Sequence, residues 1–432
     1  MARMFLAGAG AACAALAAGC QEVGDYTHQL ASQSGGTPST YDGVAQPVWS
    51  AEAPPKLPPK DAHSFGIGAV LPLHGPRAAS GRAMQRGLEL AVAEVNAAGG
   101  VNGQPIQLDA IDGGADSSSG AIALGALRDH GEAVLLVGDA PLAITQAETL
   151  AEWPQLIGFL CDYVPVPRLT PKNGVRLYLN GDQEANAIEG YIEAAGVERV
   201  AVIHQNDLTG TSHSQYLAFL FSGNHRIYTT DEAYGAGERD FALLAKAMMS
   251  VNNGAIVLAG DGPEYANLLA AFDAAGWKGQ VFGYASVTGL ADLSSTTGLA
   301  ATAAYPLPDF AANPRSTESG RAFADAYRAK YGEDPPLAAA YAYDNIRALA
   351  AAAQQAATSD PLKIRAGFLA LKSYTGAAGR YEIKDDGDTA MPLRLLRADG
   401  QPLPAPSKAA EAPAGQTIHL PTPEIILPGG AK

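Results

Sequence analysis

The chain has little cysteine, little basic charge and no long apolar run beyond its first twenty residues. Each shortage narrows what it can be. Only three of the 432 residues are cysteine, at Cys13, Cys20 and Cys161, too few for a disulfide framework. A chain of this length buries enough surface to fold without one. Lys and Arg number 29 against 44 Asp and Glu, for a formal net charge of −15. Such a surface repels phosphate backbones and anionic headgroups, so nucleic acid is not expected as a partner. No later apolar run reaches the roughly 20 residues that a membrane helix needs.

Signatures of chemistry are missing as well. Gly66-Ile67-Gly68 lacks the third glycine of a dinucleotide-binding turn. In Ser212-His213-Ser214 the side chains diverge on a helix, which excludes a triad. There is no phosphate loop, nucleophile elbow or zinc spacing. Asp385-Asp386-Gly387-Asp388 lacks the spacing and closing Glu of a calcium-binding hand and reads as a turn between two late strands. Cys161 follows an apolar strand with no activating His nearby in sequence, and reads as a buried, inert thiol. The expectation is therefore no enzyme, no cofactor and no metal ion.

What is present begins with an export leader. Arg3 supplies the basic start, residues 4–19 carry no charge, and Leu16-Ala17-Ala18-Gly19-Cys20 closes the stretch with small residues. This ending resembles the lipobox of bacterial lipoproteins. The resemblance implies that Cys20 carries the lipid and is the chain's only attachment to a bilayer. Gln21, not Asp, follows the cysteine, which in a Gram-negative lipoprotein implies outer-membrane sorting. Residues 21–63 are rich in Ser, Gly, Thr and Pro and read as a flexible linker. Residues 401–432 read as a Pro- and Ala-rich tail, in part laid on the preceding domain.

Between them strand and helix alternate. Short apolar runs at 65–71, 106–111, 133–137, 156–160, 199–203, 255–259 and 280–283 read as buried strands, each trailed by a helical stretch. In the helix expected at 80–98, Met84, Leu88, Ala91, Val92 and Val95 share one face, and Gly99-Gly100 ends it. The alternation predicts an α/β protein with parallel sheets covered by helices, and the number of strands predicts two lobes.

The opening block, residues 67–75 followed by Gly81, 87–92 and Glu94-Val95-Asn96-Ala97-Ala98-Gly99-Gly100-Val101-Asn102-Gly103, is similar to the start of the branched-chain amino-acid type of periplasmic substrate-binding protein. Further matches follow in order: Val137-Gly138, Leu169-Thr170, residues 199–203, Asp240-Phe241, residues 323–332 with Pro335, Ala340-Tyr341-Ala342-Tyr343-Asp344, and Gly379-Arg380-Tyr381-Glu382-Ile383 running to Gly387-Asp388. The resemblance spans about 64–400 and implies the type I periplasmic-binding fold: two Rossmann-like lobes joined by three crossing segments, with a ligand cleft between them. It places 64–180 and 306–372 in the first lobe and 181–305 and 373–400 in the second. It also implies a monomer that binds a small-molecule ligand and works with an ABC permease.

The departures from that family concern the ligand. Where the amino-acid binders hold an α-carboxylate with hydroxyl side chains, this chain has Leu142 and, in the run Cys161-Asp162-Tyr163-Val164-Pro165-Val166-Pro167, Pro165 in place of a Thr. Proline has neither a hydroxyl nor an N–H to offer. The acid expected to hold an α-ammonium is replaced at Ala285, and aromatic positions are replaced at Ser80, Thr209 and near Asp261. An unpaired buried carboxylate or ammonium costs several kcal/mol, on the order of a whole domain's margin of stability. A standard α-amino acid is therefore not the expected ligand. The candidate ligand-contacting positions are His74, Ser80, Asp139, Leu142, Tyr163, Val164, Pro165, Thr209, Asp261, Tyr284, Ala285 and Ser286, with Arg77 and Asp207 on the same strand-end loops. Asp at such a loop also serves as a helix N-cap, and Tyr163 and Tyr284 also read as lobe-interface packing. A second reading makes the domain a protein-interaction module, as in outer-membrane activators of cell-wall synthases, which use a similar domain.

Overall fold

β1 (Phe65–Leu71) is buried along its whole length, as its unbroken apolar run requires of a central parallel strand. In the computed structural model, which describes residues 56–114, 116–161, 172–223, 227–260, 264–286, 298–397 and 399–405, β1 lies between β2 (Ile106–Asp112) and β3 (Val134–Val137). Adding β4 (Leu156–Phe159) and β5 (Gly174–Arg176) completes a parallel sheet of order β2-β1-β3-β4-β5. Its connecting helices are α1 (Ala78–Ala97), α2 (Ser117–Asp129) and α3 (Ala140–Ala151). Asp116 and Asp139 cap α2 and α3 by accepting the N–H groups of Ser119 and Leu142.

The second sheet repeats the pattern. After α4 (Gly181–Ala194) come β6 (Arg199–Gln205), α5 (Leu208–Gly223), β7 (Tyr228–Tyr234), α6 (Ala242–Ser250), β8 (Ala255–Ala259), α7 (Tyr265–Ala274), β9 (Gln280–Gly283), α8 (Leu299–Thr302) and β10 (Ala304–Leu307). The order is β7-β6-β8-β9-β10, parallel throughout, with the late strand β14 (Arg394–Arg397) antiparallel on β10. Here the parallel α/β expectation holds.

The chain then returns to the first sheet. α9 (Asp309–Ala312), α10 (Glu318–Tyr331), α11 (Leu337–Ala356) and α12 (Pro361–Leu371) follow β10, and α11 packs along α1. Their approach is so close that a Cβ at Gly87 would stand 2.2 Å from the Ala339 carbonyl oxygen, so only glycine fits there. The small sheet β11 (Ser373–Thr375), β12 (Arg380–Ile383) and β13 (Thr389–Ala390) comes next.

That small sheet corrects one expectation. The sequence reading placed all of 373–400 in the second lobe, yet 373–390 is bonded to the first. Asp344 of α11, fully buried, accepts the N–H groups of Ala377 (2.6 Å) and Ala378 (2.9 Å) and the Tyr381 hydroxyl (2.9 Å). Arg176, at the end of β5, makes a bidentate pair with Asp388 at 2.9 and 2.8 Å, and Asn180 donates to the same carboxylate. Only β14 joins the second sheet. The residues 385–388 do form the turn between β12 and β13, but its last carboxylate is a buried clamp.

The sheets are thus linked by three crossings, at 177–180, 307–309 and 391–394. Gln183 accepts the Met391 N–H at 3.3 Å, and Arg394 pairs with Asp309 at 2.9 Å, so each crossing is tied to another. The ends of the described chain are fastened as well. Residues 56–63, expected as free linker, bond to the edge of the first sheet, with the Asp61 N–H donating to Gln107 at 2.9 Å. At the other end the Leu403 N–H donates to Leu395 and the Tyr191 hydroxyl to Pro404.

Candidate functional site

In an open parallel sheet the ligand crevice lies beyond the carboxyl ends of the strands, where neighbouring connections leave to opposite sides. The strand orders put that point between β1 and β3 in the first sheet and between β6 and β8 in the second. α3 leaves the first rim, α5 leaves the second, and the two helices are in contact, so both rims border one gap.

The first rim is charged. His74 Nδ1 lies 2.5 Å from an oxygen of Asp112, whose other oxygen accepts the Leu73 N–H at 2.9 Å. Arg77 lies 2.9 Å from Asp139, which also caps α3. The loop after β1 is therefore tied to β2 on one side and β3 on the other. His74 keeps 46% of its side chain exposed and Arg77 30%. The rim offers an imidazole and a guanidinium, each already balanced by a carboxylate. Ser80, in the first turn of α1, is half-buried beside them. Leu142 is a correction: its side chain packs on Gly120 of α2 within the apolar core, and is not presented to a ligand. Its helical position after the Asp139 cap directs it inward.

The second rim is built of small residues, with carboxylates that accept backbone N–H groups. Asp207 caps the start of α5 by accepting the Gly210 N–H at 2.7 Å. Thr209 is 2% exposed, and its hydroxyl has no hydrogen-bond partner among the described residues. Gly260, with φ +93°, ends β8 so close to α5 that a Cβ there would be 2.8 Å from Gly210 Cα. The Ser286 hydroxyl lies 3.5 Å from the Gly260 carbonyl, which brings the ends of β6, β8 and β9 together. Tyr284 is the second correction: fully buried, it packs edge-on against His213 at 4.2 Å between ring centroids, so it builds core rather than stacking on a ligand. Ala285 donates its N–H to Glu184 of α4 at 2.6 Å. A buried carboxylate thus stands beside the position from which the sequence reading found an acid missing. Cys20, Tyr163, Val164, Pro165 and Asp261 lie outside the described residues.

Two of these partners were missed in the sequence. Asp112 had a signal, an acid closing an apolar strand beside the opening loop. Glu184 had none, because it lies 101 residues from Ala285 and meets it only across the second lobe.

The profile of the periplasmic binding proteins matches residues 64–402. A Leu/Ile/Val-binding protein homolog of Brucella abortus is 25% identical over 333 residues, covering 76% of this chain and 88% of its own. A branched-chain amino acid transporter substrate-binding protein of Streptococcus pneumoniae, solved with isoleucine, superposes with a TM-score of 0.66 at 21% identity, over 78% of this chain and 97% of that one. A type 1 periplasmic binding protein of Bordetella pertussis gives 0.69 at 21% identity, over 77% and 96%.

Proposed function

Because the chain belongs to the periplasmic binding protein family, we propose that it captures a small solute between its two rims and delivers it, as a monomer, to an ABC-type importer. It is a binding protein and not an enzyme, as its named relatives are. The observation that carries the reading is the Thr209 hydroxyl. A buried, unmet hydroxyl costs about 1–3 kcal/mol, and this one stands where β6 and β8 diverge. A ligand that accepts or donates one hydrogen bond there recovers that cost on binding.

The solute is not a standard α-amino acid. Leu142 is core, Asp139 and Asp112 are engaged by Arg77 and His74, and Glu184 holds a backbone N–H. The described part of the second rim presents hydroxyls and glycine beside carboxylates already engaged by backbone N–H groups, which suits a weakly polar ligand with one hydrogen-bonding group. The protein works outside the cytoplasm, held to the membrane by lipid on Cys20, with Gln21 directing it to the outer membrane in a Gram-negative host.

Native mass spectrometry of the protein purified from its own host tests the reading. A small mass that leaves on denaturation, and whose occupancy falls in Thr209→Val, is expected. An empty protein whose melting is unmoved by a metabolite library would sink it and favour the interaction-module reading. Labelled palmitate entering the wild type but not Cys20→Ser checks the anchor.

A further inference from the structure

Three residues that the sequence keeps apart meet under the first sheet, toward the amino ends of β1–β3 and away from the cleft. Asp109 points from β2, His130 follows α2, and Glu132 precedes β3. One ligand atom from each lies within 4.8 Å of the others. His130 Nδ1 is 2.6 Å from Glu132 Oε1 and 3.5 Å from Asp109 Oδ2. Both carboxylates are almost fully buried, with side-chain exposures of 0% and 4%.

The hydrogen bonding around the ring decides what the cluster lacks. His130 Nε2 lies 2.8 Å from the Pro58 carbonyl, which only accepts, so that nitrogen carries a hydrogen. Nδ1 then faces two carboxylates, which also only accept. Either a proton held among the three groups or a metal ion between them completes this arrangement. The outer contacts are those that orient metal ligands: a backbone carbonyl on the far nitrogen of the histidine, and Gln107 donating to Asp109 at 3.2 Å. The room is built in. A Cβ at Gly66 would fall 2.0 Å from Glu132 Oε2 and 2.3 Å from Lys60 Nζ, so glycine in this strand interior keeps space open for charged groups.

We propose that Asp109, His130 and Glu132 form a binding site for a divalent transition-metal ion, with Zn²⁺ the best-suited probe. One imidazole and two carboxylate oxygens are a donor set zinc accepts, with bonds of about 2.0–2.2 Å and a fourth position open to water. Lys60, 3.3 Å from Glu132 Oε2 and also donating to the Gly131 carbonyl, is the competing cation. Metal binding releases Lys60 from Glu132 while tightening His130 on Pro58. The ion therefore sets how residues 56–63, the last stretch of the linker, lie on the lobe.

The test is calorimetric titration of the chelator-treated mature protein with Zn²⁺, together with the visible spectrum of the Co²⁺ form. One equivalent is expected to bind, raising the melting temperature and giving the intense bands of a low-coordinate cobalt site. His130→Ala weakens binding at least tenfold and abolishes the melting shift, and Asp109→Asn, which keeps the Gln107 contact but is a weaker ligand, lowers affinity as well. Lys60→Ala leaves the affinity unchanged or raises it. No binding up to millimolar Zn²⁺ overturns the proposal, and so does binding unchanged by His130→Ala. Neither readout involves the cleft, so the outcome is independent of what the lobes clasp.

Discussion

The two large sheets share one strand order, but the first is fastened by buried charge and the second mostly by apolar and aromatic packing. Around the first sheet stand the Arg176–Asp388 pair, the Asp344 network and the Asp109–His130–Glu132 cluster. Around the second, Val200, Val202, Leu217, Phe221, Val257 and Phe282 pack together, and His213 and Tyr265 bond to the backbone carbonyls of Thr209 and Ala259. The difference follows the connections. The first lobe receives the small sheet, whose turns expose N–H groups and carbonyls that need fixed partners. The second lobe is closed by β14 alone, through a regular ladder. Buried ion pairs specify geometry at a cost in desolvation, and the Arg176–Asp388 pair sits beside the 177–180 crossing.

The sharpest way to break this comparison is to remove one partner of the buried clamp. Arg176→Ala leaves Asp388 charged and buried, and should cost about 3–5 kcal/mol in denaturant unfolding. The double variant Arg176→Met/Asp388→Leu should recover most of that. A single-variant loss under about 1 kcal/mol would show that the clamp is incidental.

Acidity separates the two kinds of carboxylate next. Burial pushes Asp344 up to about 7 against its three donors, so folding favours its protonated form. Its contribution is fullest below the unfolded value near 4 and is lost as pH rises to about 7. Burial would raise Asp388 too, but the Arg176 guanidinium outweighs it and holds that carboxyl below its ordinary range. Its contribution is present above the unfolded value and lost as pH falls through the lowered one. Asp344→Asn should flatten stability between pH 4 and 7 and leave the acid limb below 4 in place. An unchanged profile would mean that Asp344 is ionised in the folded protein.

The rims differ in the same sense. Thr209→Val removes a hydroxyl with no partner among the described residues, so it should leave melting unchanged or slightly raised while weakening the ligand about tenfold, near 1.4 kcal/mol. Equal affinity would remove the second rim from the site. His74→Ala and Arg77→Ala break half-exposed pairs and should each cost under about 1 kcal/mol of stability. A larger loss in either, measured by the same unfolding, would make the first rim structural and no longer a candidate contact surface.

Much of the fold was legible because buried parallel strands need continuous apolar runs, and residues 65–71, 255–259 and 280–283 have them. The opening loop was legible too, since His74, Arg77 and Asp139 follow strands that periodicity locates. Leu142 and Tyr284 were misplaced for one reason: the loop of a residue can be read from sequence, but the direction of its side chain depends on the helix cap and on neighbours such as Gly120 and His213. The attachment of 373–390 had no local signal, since its partners Asp344 and Arg176 lie in distant segments.

By itself the sequence determined the acidic balance of charge and the alternation of strand and helix, and through the latter a pair of parallel sheets. These depend on composition and on period, which are local properties. Tertiary structure alone decided which sheet the late strands join, that Glu184 stands against Ala285, that the Thr209 hydroxyl is buried just past the end of β6, and that Asp109, His130 and Glu132 converge. Those outcomes depend on contacts between residues tens to hundreds of positions apart, where burial turns a weak polar preference into a demand for one particular partner.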